Sequence, residues 1–505
     1  MWILFLILIF DTMNIEKDYI KLIFGLKLKQ ARTNKNLSLF GLAKITDLSK
    51  SYLNEIEKGK KYPKTDKIIL LAEKLEVSYD HMVSLKLDNN LAPIGEILKS
   101  GILKEIPLDI FGIQENDLID IIANAPAKVN AFISTIIEIA QHYNLTRESF
   151  FLAALRSYQE AHNNYFEDLE EKVLKFSKAF HIDIESKISL ADLTAILVEE
   201  YGYTIKEIVF SEQAEVGDLR SIFVLKSKTL LLSEGIDESQ KAFILAKEIA
   251  YNYLEITERL YTFSWIKFDN FDQVLNNFYA SYFAGALLIP RQQLIDELNL
   301  FLLKTDPKPQ EMIQLMGKFN VSPESFYQRL TNILPKDFQL KNLFFLRLSH
   351  KIGADTYQIK KELHITNQQE PHANEMNEHY CRRWVSVKTI VESIAQKKPH
   401  FFDAQISRYE NSSNEYLVFS SATPDPFKKD HLRSMSVGIL ITPSMKKKFK
   451  FIDTPALQKQ VVGVTCETCA VKNCQERAAA PIQLEQKARN ENTDLIVQQY
   501  MAKFS

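Results

Sequence analysis

The residues best suited to chemistry are four cysteines. Cys466, Cys469 and Cys474 fall within nine positions as C-x2-C-x4-C, and Cys381 is the fourth. A C-x2-C turn lets two thiolates point at one ion, and Cys474 is near enough along the chain to supply a third. Cys381 completes a four-thiolate site if the fold brings it close. Thiolates suit zinc and an iron–sulfur cluster alike, so spacing leaves both open. Buried structural thiols, or a redox disulfide across C-x-x-C, are the competing readings. Four cysteines in 505 residues is few, as expected of a reduced cytosol.

A second set of polar residues gathers near the N-terminus. Between Met13 and Leu85, 14 Lys plus Arg stand against 9 Asp plus Glu, so this stretch carries +5 and the remainder −7 of the net −2. The asymmetry places any nucleic-acid contact here. The elements that would position it are short helices. Tyr19–Thr33 is amphipathic, Ser38 caps a helix over Leu39–Ile45, and a turn follows at Thr46, Asp47 and Leu48. Ser49 caps a further helix to Lys58, which Gly59 and Pro63 end, and Lys67–Leu75 carries Ile68, Leu71, Ala72 and Leu75 at helical spacing. Ala43 is small where a second helix must cross, and Leu42, Leu53 and Ile56 hold the pair together.

That arrangement turns Lys50, Ser51 and Asn54 outward beside Ser49, with Tyr52 at the margin, where side chains reach base edges in a major groove. Lys58, Lys60, Lys61 and Lys64 then sit where phosphates would pass. A solvated helix with ordinary surface lysines is the plain alternative. The stretch LAKITDLSKSYLNEIEKGKKYPK resembles the Xre (lambda-repressor-like) family almost position for position. It departs at Leu39, often Gln in the family, and at Asp47, the customary turn glycine, so a slightly strained turn is expected. The resemblance implies binding of double-stranded promoter DNA by a homodimer.

In the middle of the chain, SLAD (Ser189–Asp192) opens a helix ending near Gly202, and strand-like runs follow at Arg220–Leu225 and Thr229–Leu232. FILAKEIAYNYL (Phe243–Leu254) and NFYASYFAGALLIP (Asn277–Pro290) resemble the two metal-bearing helices of the ImmA/IrrE metallopeptidase family. That family has H-E-x-x-H in the first helix and a carboxylate ligand opening the second. The matching positions here are Lys247, Tyr251 and Asn277, and only Glu248, the family's general base, remains. A lysine ammonium does not ligate zinc at neutral pH, and a lone Glu has no metal-bound water to activate. The expectation is therefore no peptidase activity, with Glu248 paired to Lys247 or solvated.

Toward the C-terminus, LFFLRLSHKIG (Leu343–Gly353), HYCRRW (His379–Trp384) and TCETCAVKNCQERAAAP (Thr465–Pro481) look, in order and spacing, like the short-chain fatty acyl transcriptional regulators. The resemblance runs from the helix-turn-helix to Pro481. It implies a short-chain acyl-coenzyme A effector controlling fatty acid, propionate or glyoxylate metabolism. It also implies an iron–sulfur cluster of the 4Fe–4S type on Cys381, Cys466, Cys469 and Cys474, with zinc the alternative. Ser349–Gly353 departs from the Asp-Arg-Ala-Gly-Asn frequent in that family. EYLVFSSA and SVGILIT, between Phe401 and Ile452, suggest a small sheet. Lys446, Lys447, Lys448 and Lys450 are basic enough to meet coenzyme phosphates, although a charge run is more often a solvated edge.

The whole reads as a multidomain, mainly α protein: an all-α lambda-repressor-like helix-turn-helix, an α+β peptidase-like domain and a C-terminal α+β sensor domain. Boundaries are expected at 1–12 (an apolar leader), 13–85, 86–180 (helical linker or dimerisation region, with helices over Glu115–Tyr143 and Arg147–Phe180), 181–345 and 346–505. With 46% hydrophobic and 25% charged residues, composition excludes large-scale disorder, and 14 glycines without a fixed period argue against a solenoid. The run Trp2–Phe10 is too short to span a bilayer and lacks a signal peptide's basic region. Synthesis is expected to begin at Met13, and the protein is expected to be cytoplasmic. Two further functions were weighed: an iron–sulfur redox sensor acting on DNA without an acyl ligand, and a metallopeptidase that cleaves a repressor.

Overall fold

The computed structural model describes residues 20–21, 23–85, 147–183, 188–210, 219–263, 268, 270–365, 379–410, 412–426, 428 and 430–504. The run Trp2–Phe10 and the helix expected over Glu115–Tyr143 lie outside them. The chain divides into two compact units, Met1–Ala154 and Leu155–Ser505.

The first unit is helical: α1 (residues 23–34), α2 (Leu39–Thr46), α3 (Lys50–Glu57), α4 (Thr65–Leu75) and α5 (Tyr79–Val83). Each of the three short helices begins at a serine that satisfies an otherwise orphaned backbone N–H. Ser38 Oγ accepts from Gly41 N at 3.0 Å, and Ser49 and Ser78 do the same for Tyr52 N and His81 N at 3.1 Å. Phe24, Leu28, Leu42, Leu53, Ile56, Ile68, Leu71, Leu75 and Met82 form one core. Asp47 ends α2 in the left-handed region, at φ 52°, which costs an L-residue about 1 kcal/mol. The strain expected from the missing glycine is present.

Ala43 packs against the core, but the tightest crossing is elsewhere. A Cβ on Gly25 would stand 2.3 Å from the Ile56 carbonyl oxygen, so α1 and the end of α3 meet backbone to backbone. Arg32 fastens the same junction, its Nε and Nη2 donating to the two Glu57 carboxylate oxygens at 2.6 and 2.9 Å.

In the second unit, α6 (Arg147–Ala161, which the division crosses) and α7 (Glu167–Ala179) replace the single helix expected over Arg147–Phe180. Two successive asparagines break it, Asn163 and Asn164, at φ 49° and 51°. Asn164 is locked there: its Nδ2 donates to Thr331 Oγ1 and its carbonyl accepts from Asn332 Nδ2, both at 2.7 Å. Next, α8 (Leu190–Ala195) starts with the expected capping box of Ser189 and Asp192 and runs into a π-helical turn over Ile196–Glu200. A four-stranded sheet in the order β1-β3-β2-β4 follows, from β1 (Thr204–Ile208), β2 (Ser221–Val224), β3 (Thr229–Ser233) and β4 (Thr262–Phe263). Against it lie α9 (Glu238–Tyr253) and α10 (Phe271–Leu288), and α11 (Arg291–Leu302), α12 (Pro309–Phe319) and α13 (Pro323–Asp337) complete the helical part.

The small sheet expected between Phe401 and Ile452 is larger. Six strands run in the order β10-β7-β8-β9-β5-β6: β5 (Leu343–Lys351), β6 (Gln358–Ile365), β7 (Phe401–Tyr409), β8 (Glu415–Pro424), β9 (His431–Leu440) and β10 (Gln458–Val462). Pairing is antiparallel except for β10, which joins β7 in parallel. Helices α12 and α13 pack against this sheet, and so does α14 (Val385–Gln396). The strands β8 and β9 are therefore buried along nearly their whole length. One core runs without interruption from Phe166 through α9, α10 and α13 to Ile452. Deep in it, Arg329 grips Glu170 at 2.5 and 2.9 Å and Tyr282 donates to the same carboxylate at 2.8 Å, joining α7, α10 and α13. After β9 come α15 (Pro443–Lys448) and, at the end, α16 (Ile482–Phe504). Among the described residues, no helix is long and apolar enough to cross a membrane.

Candidate functional sites

On α3, burial falls as helical geometry dictates. Leu53 and Ile56 are buried, Lys50, Ser51 and Asn54 are exposed, and Tyr52 lies between. Ser49 holds the first turn in place through its cap. Lys58, Lys60, Lys61 and Lys64 are all exposed on the segment that follows, whose anchor is the buried Pro63. Lys61 is partly engaged: its ammonium lies 3.6 Å from Glu55 and 5.1 Å from the centre of the Tyr52 ring. The result is an exposed basic face, compensated only at Lys61 among these lysines, with polar side chains at its leading end.

The positions that match metal ligands lie together on α9 and α10, and they bond to one another. Lys247 Nζ donates to Asn277 Oδ1 at 2.5 Å, and the Tyr251 hydroxyl donates to the same oxygen at 3.3 Å. Glu248, expected to pair with Lys247 or to be solvated, is buried and held by Arg259 and Tyr203. Arg259 Nη2 lies 2.6 and 2.7 Å from its two carboxylate oxygens, and Tyr203 donates to it at 3.0 Å. The Arg259 guanidinium also lies over the Tyr251 ring at 4.0 Å and the Phe223 ring at 4.6 Å. Lys247 and Glu248 are 5% and 6% exposed, so these bonds form out of water.

Burial pushes the Lys247 ammonium down to about 7, with Glu248 opposing the shift. Burial and the Glu248 charge push Tyr203 up to about 12. Both oxygens of Glu248 are engaged, by Arg259 and by Tyr203. Arg259 was invisible in the sequence, because a lone arginine in TERLYTF matches no motif.

The cysteines converge from two distant segments. An isolated bridge pairs Tyr380 with Thr465, the Cys381 N–H donates to the Val464 carbonyl at 3.1 Å, and the Cys466 N–H donates to that of His379 at 2.8 Å. The loop is braced by Arg477, whose guanidinium donates to the carbonyls of Cys466, Cys469 and Val471 at 2.9, 3.3 and 2.6 Å. Ala478 N–H donates to Cys466 Sγ at 3.4 Å. A Cβ on Gly463 would sit 2.8 Å from Cys469 Sγ, so only glycine fits behind that sulfur. Burial pushes the Cys381 thiol up to about 11, against the backbone N–H groups of Gly463 and Arg383 and reinforced by Cys469 and Cys466.

Cys381, Cys466 and Cys469 are thus brought together, and Cys474 belongs to the loop that Arg477 braces. All four are free thiols. Among the described residues, no three His, Cys, Asp or Glu side chains are already set in ligating geometry. Cys381, Cys466 and Cys469 are buried, Cys474 is half-buried, and Ala478 supplies an N–H donor to the Cys466 sulfur, features in keeping with thiolate ligands. The lysines of α15 are another matter. Lys448 Nζ donates to the Phe338 carbonyl at 2.5 Å, so one of the four lysines basic enough to meet a coenzyme phosphate is committed to the end of α13.

Comparison with known proteins agrees with two of these regions. A family model described as helix-turn-helix matches residues 28–82, and one described as IrrE N-terminal-like domain matches residues 199–331. The chain carries both domains. A search of curated proteins finds no match. Among solved structures, a Mycobacterium tuberculosis transcriptional regulator is similar at 16% identity and a TM-score of 0.44, over 64% of this chain and 92% of that one. A likeness at that level transfers neither fold nor function.

Proposed function

We propose that the chain is a sequence-specific DNA-binding transcriptional regulator whose body senses a short-chain acyl-coenzyme A. The observation that carries the DNA reading is the outward face of α3. Lys50, Ser51 and Asn54 are presented in water on a helix whose other side is fully buried, with basic residues following where a backbone would run. Recognition by a homodimer on a two-fold site follows from the resemblance to Xre proteins. The acyl-coenzyme A effector rests on the resemblance of the segments around Leu343, His379 and Thr465 to short-chain fatty acyl regulators.

Such an effector acts only if it binds the DNA-competent and incompetent states unequally, so promoter and effector must alter each other's affinity by the same factor. No peptidase activity is part of this reading, because Lys247, Tyr251 and Asn277 bond to each other and Arg259 occupies Glu248. Cys381, Cys466, Cys469 and Cys474 would hold an iron–sulfur cluster or, alternatively, zinc. A cluster would add redox sensitivity, and its positive iron would offset the burial that disfavours the Cys381 and Cys469 thiolates.

The test is fluorescence anisotropy on promoter DNA. Replacing Lys50, Ser51 and Asn54 together by Ala is expected to abolish sequence preference and lower affinity tenfold or more, as loss of about 1–3 kcal/mol per base contact requires. Unchanged recognition would overturn the assignment. Propionyl- or acetyl-coenzyme A is expected to shift the affinity of the unaltered protein. The convergence of the thiols favours a second reading, a redox sensor without an acyl ligand. It predicts a brown, sulfide-containing protein on anaerobic purification, with DNA affinity that follows oxidation and ignores every thioester.

A further inference from the structure

Three cations share one face of the six-stranded sheet. Arg347 on β5 lies directly across from Lys361 on β6, and Ser349, two residues along β5, lies across from Arg433 on β9. The register slips between Arg347 and Leu348, leaving Lys360 without a partner across the ladder and fixing where Lys361 falls. Two carboxylates answer them. Glu324, in the first turn of α13, accepts from Arg347 Nη1 at 3.1 Å through both oxygens and lies 3.8 Å from Lys361. Asp425 lies 3.6 Å from Arg433.

This arrangement is poor as a structural ion network. Like charges directly opposite in a ladder repel, which makes the Arg347–Lys361 pair a cost to the sheet. Among the described residues, three cations face two carboxylates, before Arg220 is counted. Arg433 is 9% exposed, and its buried Nε makes no hydrogen bond, the Asp425 carboxylate standing off at 3.6 Å. A buried guanidinium N–H left unmatched is expensive unless something else meets it. The N-terminus of α13, a helix of 15 residues, adds its positive end to the same place. The charges also feel one another: burial lowers Arg220 to about 10, with Arg433 and Arg347 adding to the fall and Glu324 opposing it. The site opens to solvent at Lys361 and Arg347, whose side chains are 47% and 27% exposed.

We propose that Arg347, Lys361 and Arg433, arrayed over the N-terminus of α13, bind the phosphate or diphosphate group of a small anionic ligand. Arginine forks suit phosphate oxygens in pairs, and Lys361 at the mouth adds a point charge. The inference builds on the reading of the body as an effector-binding unit and assigns it the residues that would hold the ligand's charged end.

The test uses the full chain with inorganic pyrophosphate and coenzyme A as probes, in calorimetry and thermal melts. Pyrophosphate is expected to bind and raise the Tm of the unaltered protein. Lys361→Met, at an exposed position, is expected to weaken both probes about tenfold or more while moving the Tm little, since losing the Glu324 contact and relieving the repulsion from Arg347 oppose each other. Arg433→Met, checked for folding by circular dichroism, is expected to weaken them further. A Tm that pyrophosphate leaves unmoved, or a Lys361→Met protein that binds both probes as before, overturns the site. If pyrophosphate binding depends on Lys361 while no acyl thioester alters DNA affinity, the site stands and the acyl-coenzyme A reading falls. If propionyl-coenzyme A shifts DNA affinity equally in the parent and in Lys361→Met, the converse holds.

Discussion

Helices α3 and α9 both carry polar residues at spacings associated with chemistry, and they use them in opposite ways. On α3, Lys50, Ser51 and Asn54 point into water while the apolar side is consumed by the core. On α9, Lys247, Glu248 and Tyr251 point inward, and every one is met by Asn277, Arg259 or Tyr203. The first pattern leaves hydrogen-bonding capacity for an outside partner at little cost to folding. The second spends that capacity inside, so its residues stabilise the body. Whether a motif is live therefore depends on where its unspent donors and acceptors are, more than on which residues it contains.

The strongest way to break the comparison is to cut the inner network. Arg259→Ala leaves Glu248 buried without its cation and is expected to cost about 3–5 kcal/mol, read by urea unfolding. A loss under about 1 kcal/mol would mean that α9 is as loosely engaged as the outer face of α3. The next effect is one of pH. Lys247 titrates at about 7 in the folded chain against 10.5 for an unperturbed lysine. Between those values the unfolded chain binds more protons, so this residue makes stability rise with pH from about 7 to 10.5 and contributes no slope below. Lys247→Met is expected to flatten that part of the stability profile, and an identical slope in the variant would refute the assignment. The smallest effect sharpens the α3 side. Lys60→Ala is expected to reduce the slope of log affinity against log salt by about 0.9. Lys61→Ala should reduce it less, because Glu55 and the Tyr52 ring already engage that ammonium. Equal reductions would show the Glu55 contact to be irrelevant on DNA.

Local devices were legible in the chain itself. Ser38, Ser49 and the Ser189–Asp192 box cap the helices they were read to cap, and the outward set on α3 follows from its period. The run EYLVFSSA lies within β8, and SVGILIT, Ser436–Thr442, overlaps the end of β9, which begins earlier, at His431, and stops at Leu440. Long-range pairing was not legible. Glu170 and Arg329 are far apart in sequence and belong to no motif, and neither Arg259 opposite Glu248 nor Lys361 opposite Arg347 stands in a motif that announces its partner. The break at Asn163 and Asn164 was masked by the helical period on either side, although paired asparagines are tolerant of left-handed backbone. The six-stranded sheet was underestimated because LFFLRLSHK was read for resemblance and not for alternation, and QIKKELHI was not read as a strand. Convergence of Cys381 on Cys466 and Cys469 needed the Tyr380–Thr465 bridge, which no spacing rule encodes.

Among the described residues, β6 pairs on one side only, so it forms a margin of its sheet. A margin of unpaired backbone is a template on which another chain can add a strand, and the usual defence is a short run of charge. Lys360 and Lys361 supply that guard on β6, and the irregularity between them and β5 spoils the flat surface that stacking would need. Neutralising these lysines thus removes a barrier to fibre-like self-association. Solubility belongs among the readouts for any variant there.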